Sequence, residues 1–170
     1  ERYRFFREIA RKKGAGLIAT AHHRDDVAET VLLHLLRGSG LKGLRGILPR
    51  QGDLLRPLLC VDKEDILLYL KRGNIRYYID ESNEDLRFTR NRIRHELIPL
   101  LQSGYNVRIV DNLNQLALIA RDENRWLEGL ASEGYAAALL PEAGRRDEIV
   151  LDTTILQGQP AACQRRVLNA

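Results

Sequence analysis

Residues 17–21, Leu-Ile-Ala-Thr-Ala, form a short apolar run between Gly16 and a polar cluster, and an amphipathic stretch ending at Gly38 follows at once. A strand of a parallel sheet reads as such a run because both of its faces are covered. Before it, residues 3–13 carry Phe5, Phe6, Ile9 and Ala10 at helical spacing among basic residues, and stop at Gly14. After it, the stretch from Asp25 or Asp26 to Arg37 keeps the same period, and Gly38 stands where a helix C-terminus favours glycine. Helix, strand, helix is the alternation of an α/β fold. The expectation is part of a doubly wound parallel sheet in which 17–21 is a central strand.

Residues 38–52 hold five glycines and no periodicity, the character of a loop over a site. Asp62 can cap a helix that runs to about Lys71 and breaks at Gly73, and 75–79 reads as a further short strand. A polar loop over 80–87 precedes a short, very basic helix over 89–96, ended by Pro99. Past Gly104 the apolar positions Ile109, Leu113, Leu116, Ala120, Leu127 and Leu130 predict a long helix or helical pair over 107–140. Leu151, Asp152 and Thr153 read as a strand end and a helix cap. Two domains follow, an α/β domain over 1–101 and a mainly helical one over 102–170.

No apolar run approaches the roughly 20 residues that cross a bilayer, and the charged first residues do not suit a secretory leader, so the default location is the cytoplasm. The two cysteines, Cys60 and Cys163, are too far apart for a CxxC zinc or redox pair. A formal charge of +4 suits a polyanionic partner without requiring one.

The chemistry concentrates in His22-His23-Arg24-Asp25-Asp26-Val27-Ala28-Glu29-Thr30, where the strand's carboxyl end meets the helix's positive N-terminus. On a helical wheel Val27, Ala28, Val31, Leu32, Leu35 and Leu36 share one side, and Asp26, Glu29, Thr30, Leu33 and Arg37 the other. The acidic pair is therefore expected to point away from the core, so that neutralising Asp26 would cost only about 0.5 kcal/mol. Asp26 and Glu29, three apart, can converge on one cation, either Mg²⁺ or a substrate ammonium. The plainer alternative stays open: an aspartate as N-cap and Glu29 as a partner of the helix dipole. His22 and His23 are adjacent on a strand end and point to opposite faces, which argues against a shared zinc.

Arg37-Gly38-Ser39-Gly40 places an arginine and unhindered backbone N–H groups just past the helix, suited to phosphate or simply to a C-cap and linker. Arg87, Arg90, Arg92 and Arg94 put four arginines into eight residues, with Lys42, Arg45 and Arg50 as a second basic group. Arginine forks suit RNA phosphates and bases, although a charge run is often a solvated face.

Together these stretches resemble the tRNA(Ile)-lysidine synthetase family of the N-type ATP pyrophosphatase superfamily. The resemblance is carried by AHHRDDVAETVLLHLLRGSGLKGLRGI at 21–47, LLRPLL at 54–59 and DESNEDLRFTRNRIRHELIPLL at 80–101. It implies a ligase that uses ATP to adenylate the C2 carbonyl oxygen of a wobble cytidine in tRNA(Ile) with a CAU anticodon. The ε-amine of free L-lysine then displaces AMP. It assigns Asp26 and Glu29 to catalysis through lysine or Mg²⁺ handling, with Asp26 as the metal ligand. It sets His22, His23, Arg37, Gly38, Ser39 and Gly40 around ATP, and Lys42, Arg45, Arg50, Arg87, Arg90, Arg92 and Arg94 toward tRNA. It leaves room for a homodimer.

The family's Ser-Gly-Gly-x-Asp-Ser phosphate loop does not occur in these 170 residues. The chain on its own is accordingly expected to bind ATP weakly or not at all and to be inactive, with a further domain beyond Ala170. Two other readings remain: a tRNA 2-thiolation enzyme of the same superfamily, which would favour clustered cysteines, and a non-catalytic tRNA-binding module.

Overall fold

The computed structural model describes residues 2–78, 80–140 and 148–168. Helix α1 (Arg2–Lys12) leads through Gly14, at φ 67°, into β1 (Ile18–Ala19). Helix α2 (Arg24–Leu36) follows, then the short α3 (Leu41–Leu44) and the hairpin of β2 (Arg50–Gln51) and β3 (Leu54–Leu55). The fold is thus mixed α/β, mostly helical around a small sheet.

The sheet order is β1-β3-β2, with β1 parallel to β3 and β2 antiparallel to it. The expected strand over 17–21 is therefore present and parallel, but shorter, and it lies at the edge of the described sheet rather than at its centre. The glycine-rich segment is more ordered than a loop. Gly38, at φ 73°, ends α2 in the left-handed conformation glycine adopts freely, and α3 and β2 both lie inside 38–52.

Helix α4 (Lys63–Arg72) starts after Asp62 and ends at Gly73, as the pattern predicts. The expected strand over 75–79 is not formed at 75–78, and Ile79 lies outside the described residues. A 3-10 turn (Glu81–Glu84) leads to α5 (Thr89–Arg92), a π turn (Ile93–Leu97) and α6 (Ile98–Gly104), one continuous helical run. Proline lacks an N–H and its ring crowds the carbonyl four residues back, so Pro99 was expected to end the helix. The wider π turn just before it lets the helix pass through instead.

Contacts group the chain into two units, 1–119 and 120–170. In the first, Val27, Ala28, Val31 and Leu32 of α2 pack with Ile93, Ile98, Leu113 and Ala117 into a buried core. Leu35 and Leu36, expected on that face, are 53% and 62% exposed, so only the first half of α2 is enclosed. Helix α7 (Ile109–Ala138) is a single helix, not a pair. In the second unit Ala131, Leu156 and Val167 form a small core beside α8 (Thr153–Gln157) and α9 (Ala161–Val167). There Leu139 bridges Leu151, and Asp152 caps α8 through the N–H groups of Thr154 and Ile155.

Candidate active site

The carboxyl end of β1 and the N-terminus of α2 meet at His23, the N-cap residue. Its backbone N–H donates to Asp26 Oδ2 at 2.9 Å, which makes Asp26 the reciprocal partner of a helix cap. The other oxygen, Oδ1, accepts from Arg90 Nη2 at 3.0 Å and Arg94 Nη2 at 3.2 Å. Glu29 accepts from Arg94 Nε at 2.6 Å and Arg94 Nη2 at 3.0 Å, and from Arg90 Nε at 2.9 Å. Two carboxylates and two guanidiniums interlock in a quartet across 61 to 68 residues of sequence.

The acidic pair is therefore buried, Asp26 at 8% and Glu29 at 1% exposure, which overturns the expectation that it faces solvent. The helical wheel separated polar from apolar correctly. It could not anticipate that α5 and the π turn would close over the polar side.

His23 extends the cluster, its Nδ1 lying 3.1 Å from Asp25 Oδ2 and its Nε2 3.4 Å from Asp26 Oδ2. The Asp25 bond holds the imidazolium above its ordinary range, against the opposing effect of burial and aided by the charges of Asp26, Asp25 and Glu29. Asp25 is held below the usual carboxylate range, first by the bond from His23, against burial, and then by the Lys63 amide, which donates at 3.2 Å. Burial weakens the Arg94 charge, but the bond it donates to Glu29 and the surrounding carboxylates outweigh this and hold the guanidinium above its ordinary value.

Arg24 braces the same helix start by pairing with Asp111 at 2.6 Å and Asp62 at 3.4 Å. Asn91, 9% exposed, donates to the carbonyls of Ser82 and Asp85 and so fixes the arginine helix on the turn before it. Sequence reasoning passed over both, because an arginine or asparagine among many charged neighbours carries no periodic signal.

The residues expected around ATP are not all together. His22, bonded to Thr20 Oγ1 at 2.9 Å, lies at one end of α2, and Arg37 to Gly40 lie at the other. A helix of that length separates them by about 20 Å. His22 lines a cavity of about 330 Å³ with Tyr3, Phe6, Ala19, Thr20 and Ala21, at the carboxyl end of β1.

The residues expected to face tRNA also divide. Arg90 and Arg94 are held in the quartet, Arg87 pairs with Asp85 at 2.7 Å, and Arg92 pairs with Glu96 at 3.4 Å. Lys42 and Arg50 are exposed, while Arg45 is half-buried and turns its Nε to the Lys42 carbonyl. In the LLRPLL segment Arg56 is buried, bonds the Leu48 carbonyl at 2.8 Å, and keeps an Nε with no hydrogen bond among the described residues. An arginine inside an apolar hexapeptide was the signal that could have revealed it.

A divalent cation does not fit at Asp26 in this arrangement. Every oxygen of Asp26 and Glu29 already accepts a bond, two guanidiniums stand against them, and a metal would meet those positive charges at contact distance. Among the described residues no group of three His, Cys, Asp or Glu side chains converges so as to hold a metal ion. Asp25 is a third carboxylate beside the quartet, but it bonds His23 and the Lys63 amide rather than a guanidinium. A protonated His23 balances it, and only when His23 loses its proton does the cluster carry one negative charge beyond its two guanidiniums.

The family described as a PP-loop domain matches residues 1–101. Curated relatives carry the name tRNA(Ile)-lysidine synthase. That of Caldanaerobacter subterraneus subsp. tengcongensis is 38% identical over 168 residues, 99% of this chain and 35% of the relative. That of Symbiobacterium thermophilum is 40% identical over 99% of this chain and 36% of its own length. That of Parabacteroides distasonis is 48% identical over 101 residues, 59% of this chain and 23% of the relative. The chain thus spans about a third of the length of the first two.

Proposed function

This chain belongs to the PP-loop domain family, and from that premise we propose that it is part of an ATP-dependent ligase that joins lysine to the wobble cytidine of tRNA(Ile) with a CAU anticodon. The observation that carries the reading is convergence. The stretches at 21–47 and 80–101, which resemble that ligase family, close on each other through Arg90, Arg94, Asp26 and Glu29.

In the proposed reaction the C2 carbonyl oxygen of cytidine attacks the α-phosphate of ATP, and pyrophosphate leaves. The ε-amine of lysine then adds at C2, loses a proton, and expels AMP. Adenylation converts a poor leaving oxygen into a good one, so each step has a stable departing anion. ATP is taken as its magnesium salt, the ion being carried by the phosphates and not by Asp26.

Asp26 and Glu29 fix the two guanidiniums, whose hydrogen bonds to them use Nε and Nη2 and leave both Nη1 groups outside. Those edges supply positive charge where the phosphoryl group transfers. Once His23 has lost its proton, the Asp25, Asp26 and Glu29 cluster carries one negative charge beyond its two guanidiniums, which suits the lysine ammonium. We place the nucleoside end of ATP in the cavity beside His22, and Arg37 to Gly40 at the phosphate or tRNA side of α2. Lys42, Arg45 and Arg50 are the proposed basic contacts to tRNA. The three strands are taken as part of a larger doubly wound parallel sheet, with 102–170 as the helical domain and the cytoplasm as the location. No helix among the described residues is long and apolar enough to cross a membrane.

The direct test is incorporation of labelled lysine into tRNA(Ile) transcripts by the full gene product. Asp26→Asn should lower turnover on the order of a hundredfold, the loss expected for a misplaced electrostatic contact. Normal turnover in that variant would remove Asp26 from the site, and failure of the wild type to transfer lysine would sink the reaction itself.

A further inference from the structure

We propose that the C-terminal end of α4 and the chain leaving it, residues 66–78, form a stacking surface for unpaired bases of a single-stranded RNA segment, apart from the arginine helix. This rests on the reading above that RNA is the substrate. Tyr69 is 71% exposed, Tyr77 52% and Tyr78 99%, so three rings that would ordinarily cover apolar surface stand in water within ten residues. Burial of an aromatic ring is normally a large part of its stabilising contribution. Three such rings left bare mark a contact surface rather than a core.

The turn keeps the rings close along the chain. Gly73 and Ile75 donate back to the carbonyls of Tyr69 and Leu70, both at 2.9 Å, and Asn74 bends the chain at φ 49°. The helix therefore ends in a turn at residues 73–75, four residues after Tyr69 and two before Tyr77.

Charge complementarity selects the occupant. Residues 66–78 contain Lys71, Arg72 and Arg76 and no carboxylate. None of these three has an ion pair among the described residues, whereas Arg87, Arg90, Arg92 and Arg94 each have one. Cations without carboxylate partners beside open aromatic faces are what a polyanion with stackable bases requires. A protein partner burying the same rings would have to bring matching carboxylates.

The test uses the 170-residue chain with a fluorescein-labelled oligouridylate and, for comparison, a fully paired RNA hairpin. Tyr77→Ala and Tyr78→Ala should each weaken oligouridylate binding by about tenfold, with hairpin binding much less affected. Tyr77→Phe and Tyr78→Phe should bind as the wild type does, since the ring is kept. Replacing Lys71, Arg72 and Arg76 together by Gln should flatten the dependence of log affinity on log salt by about 2. Unchanged thermal melts keep the readout clear of folding.

The proposal is overturned if the alanine variants bind like the wild type or if the chain does not bind oligouridylate. It is also overturned if sedimentation shows the rings buried between two copies, seen as self-association that Tyr78→Ala abolishes. Loss of binding at these rings, with a full gene product that transfers no lysine, would leave this surface standing while the ligase reading fell. Lysine transfer with unaffected alanine variants would do the reverse.

Discussion

The helix over 89–96 and the segment over 66–78 are both rich in cations, and the structure treats them oppositely. Arg90 and Arg94 are drawn onto the buried Glu29 and Asp26 and become part of the framework. Lys71, Arg72 and Arg76 form no ion pair among the described residues and remain available to an external anion. The difference lies not in the cations but in the carboxylates each segment meets. A guanidinium near a buried carboxylate is held there, because leaving either charge alone in a poorly solvated place costs several kcal/mol.

Glu29→Gln should have the largest effect on stability. It removes the charge from the most buried partner and leaves Arg90 and Arg94 facing a neutral amide, at a cost of about 3 kcal/mol. Urea titration would read this as a lower midpoint with an unchanged slope. A cost below about 1 kcal/mol, the range of a surface pair, would mean that solvent reaches the quartet and that the two cationic segments are held alike.

A smaller effect concerns pH. His23 is raised above its unfolded value, so its contribution is complete below the unfolded pKa and fades as pH climbs through the folded one. Asp25 is lowered, so its contribution is present above its unfolded pKa and is lost as pH falls through the folded value. The pair is therefore strongest between those limits. The wild type should lose stability when pH rises from mildly acidic to mildly basic, and His23→Gln should lose less. Parallel melting curves for the two across that window would show that the imidazole does not couple to the cluster. The same titration leaves the cluster with its negative charge above the folded pKa of His23, so lysine should bind more tightly there.

The smallest effect belongs to the other segment. Arg72→Gln and Arg76→Gln should each change stability by less than about 0.5 kcal/mol, as at other surface positions without partners. A loss of 2 kcal/mol at either would show that the cation has a structural partner and would erase the contrast with Arg94.

Much of the local structure was legible. Helical periodicity and flanking glycines located α1, α2, α4 and α7 to within a few residues, because those signals lie within one turn of the chain. Asp152 was legible as a cap for the same reason. What was missed depended on contacts between distant segments. The strand over 75–79 had the composition of a strand, yet residues 75–78 pair with no neighbour among the described residues, and a strand without a ladder does not form. Pro99 signalled a helix end, yet the π turn carried the helix past it. Leu35 and Leu36 sit on the apolar side of α2 but beyond the reach of the core that covers Val31 and Leu32.

The sequence by itself determined which residues of α2 are polar, which are apolar, and that Asp26 and Glu29 share a face, since helical geometry alone sets those angles. It also supplied the family, through ordered motifs that need no coordinates. Only the tertiary structure decided that this face is covered, that Arg90 and Arg94 cover it, and that the cations of 66–78 stay open. The reason is physical. Periodicity reports the direction of a side chain relative to its own helix, whereas burial and ion pairing depend on which other segment arrives there, and Glu29 and Arg94 lie 65 residues apart.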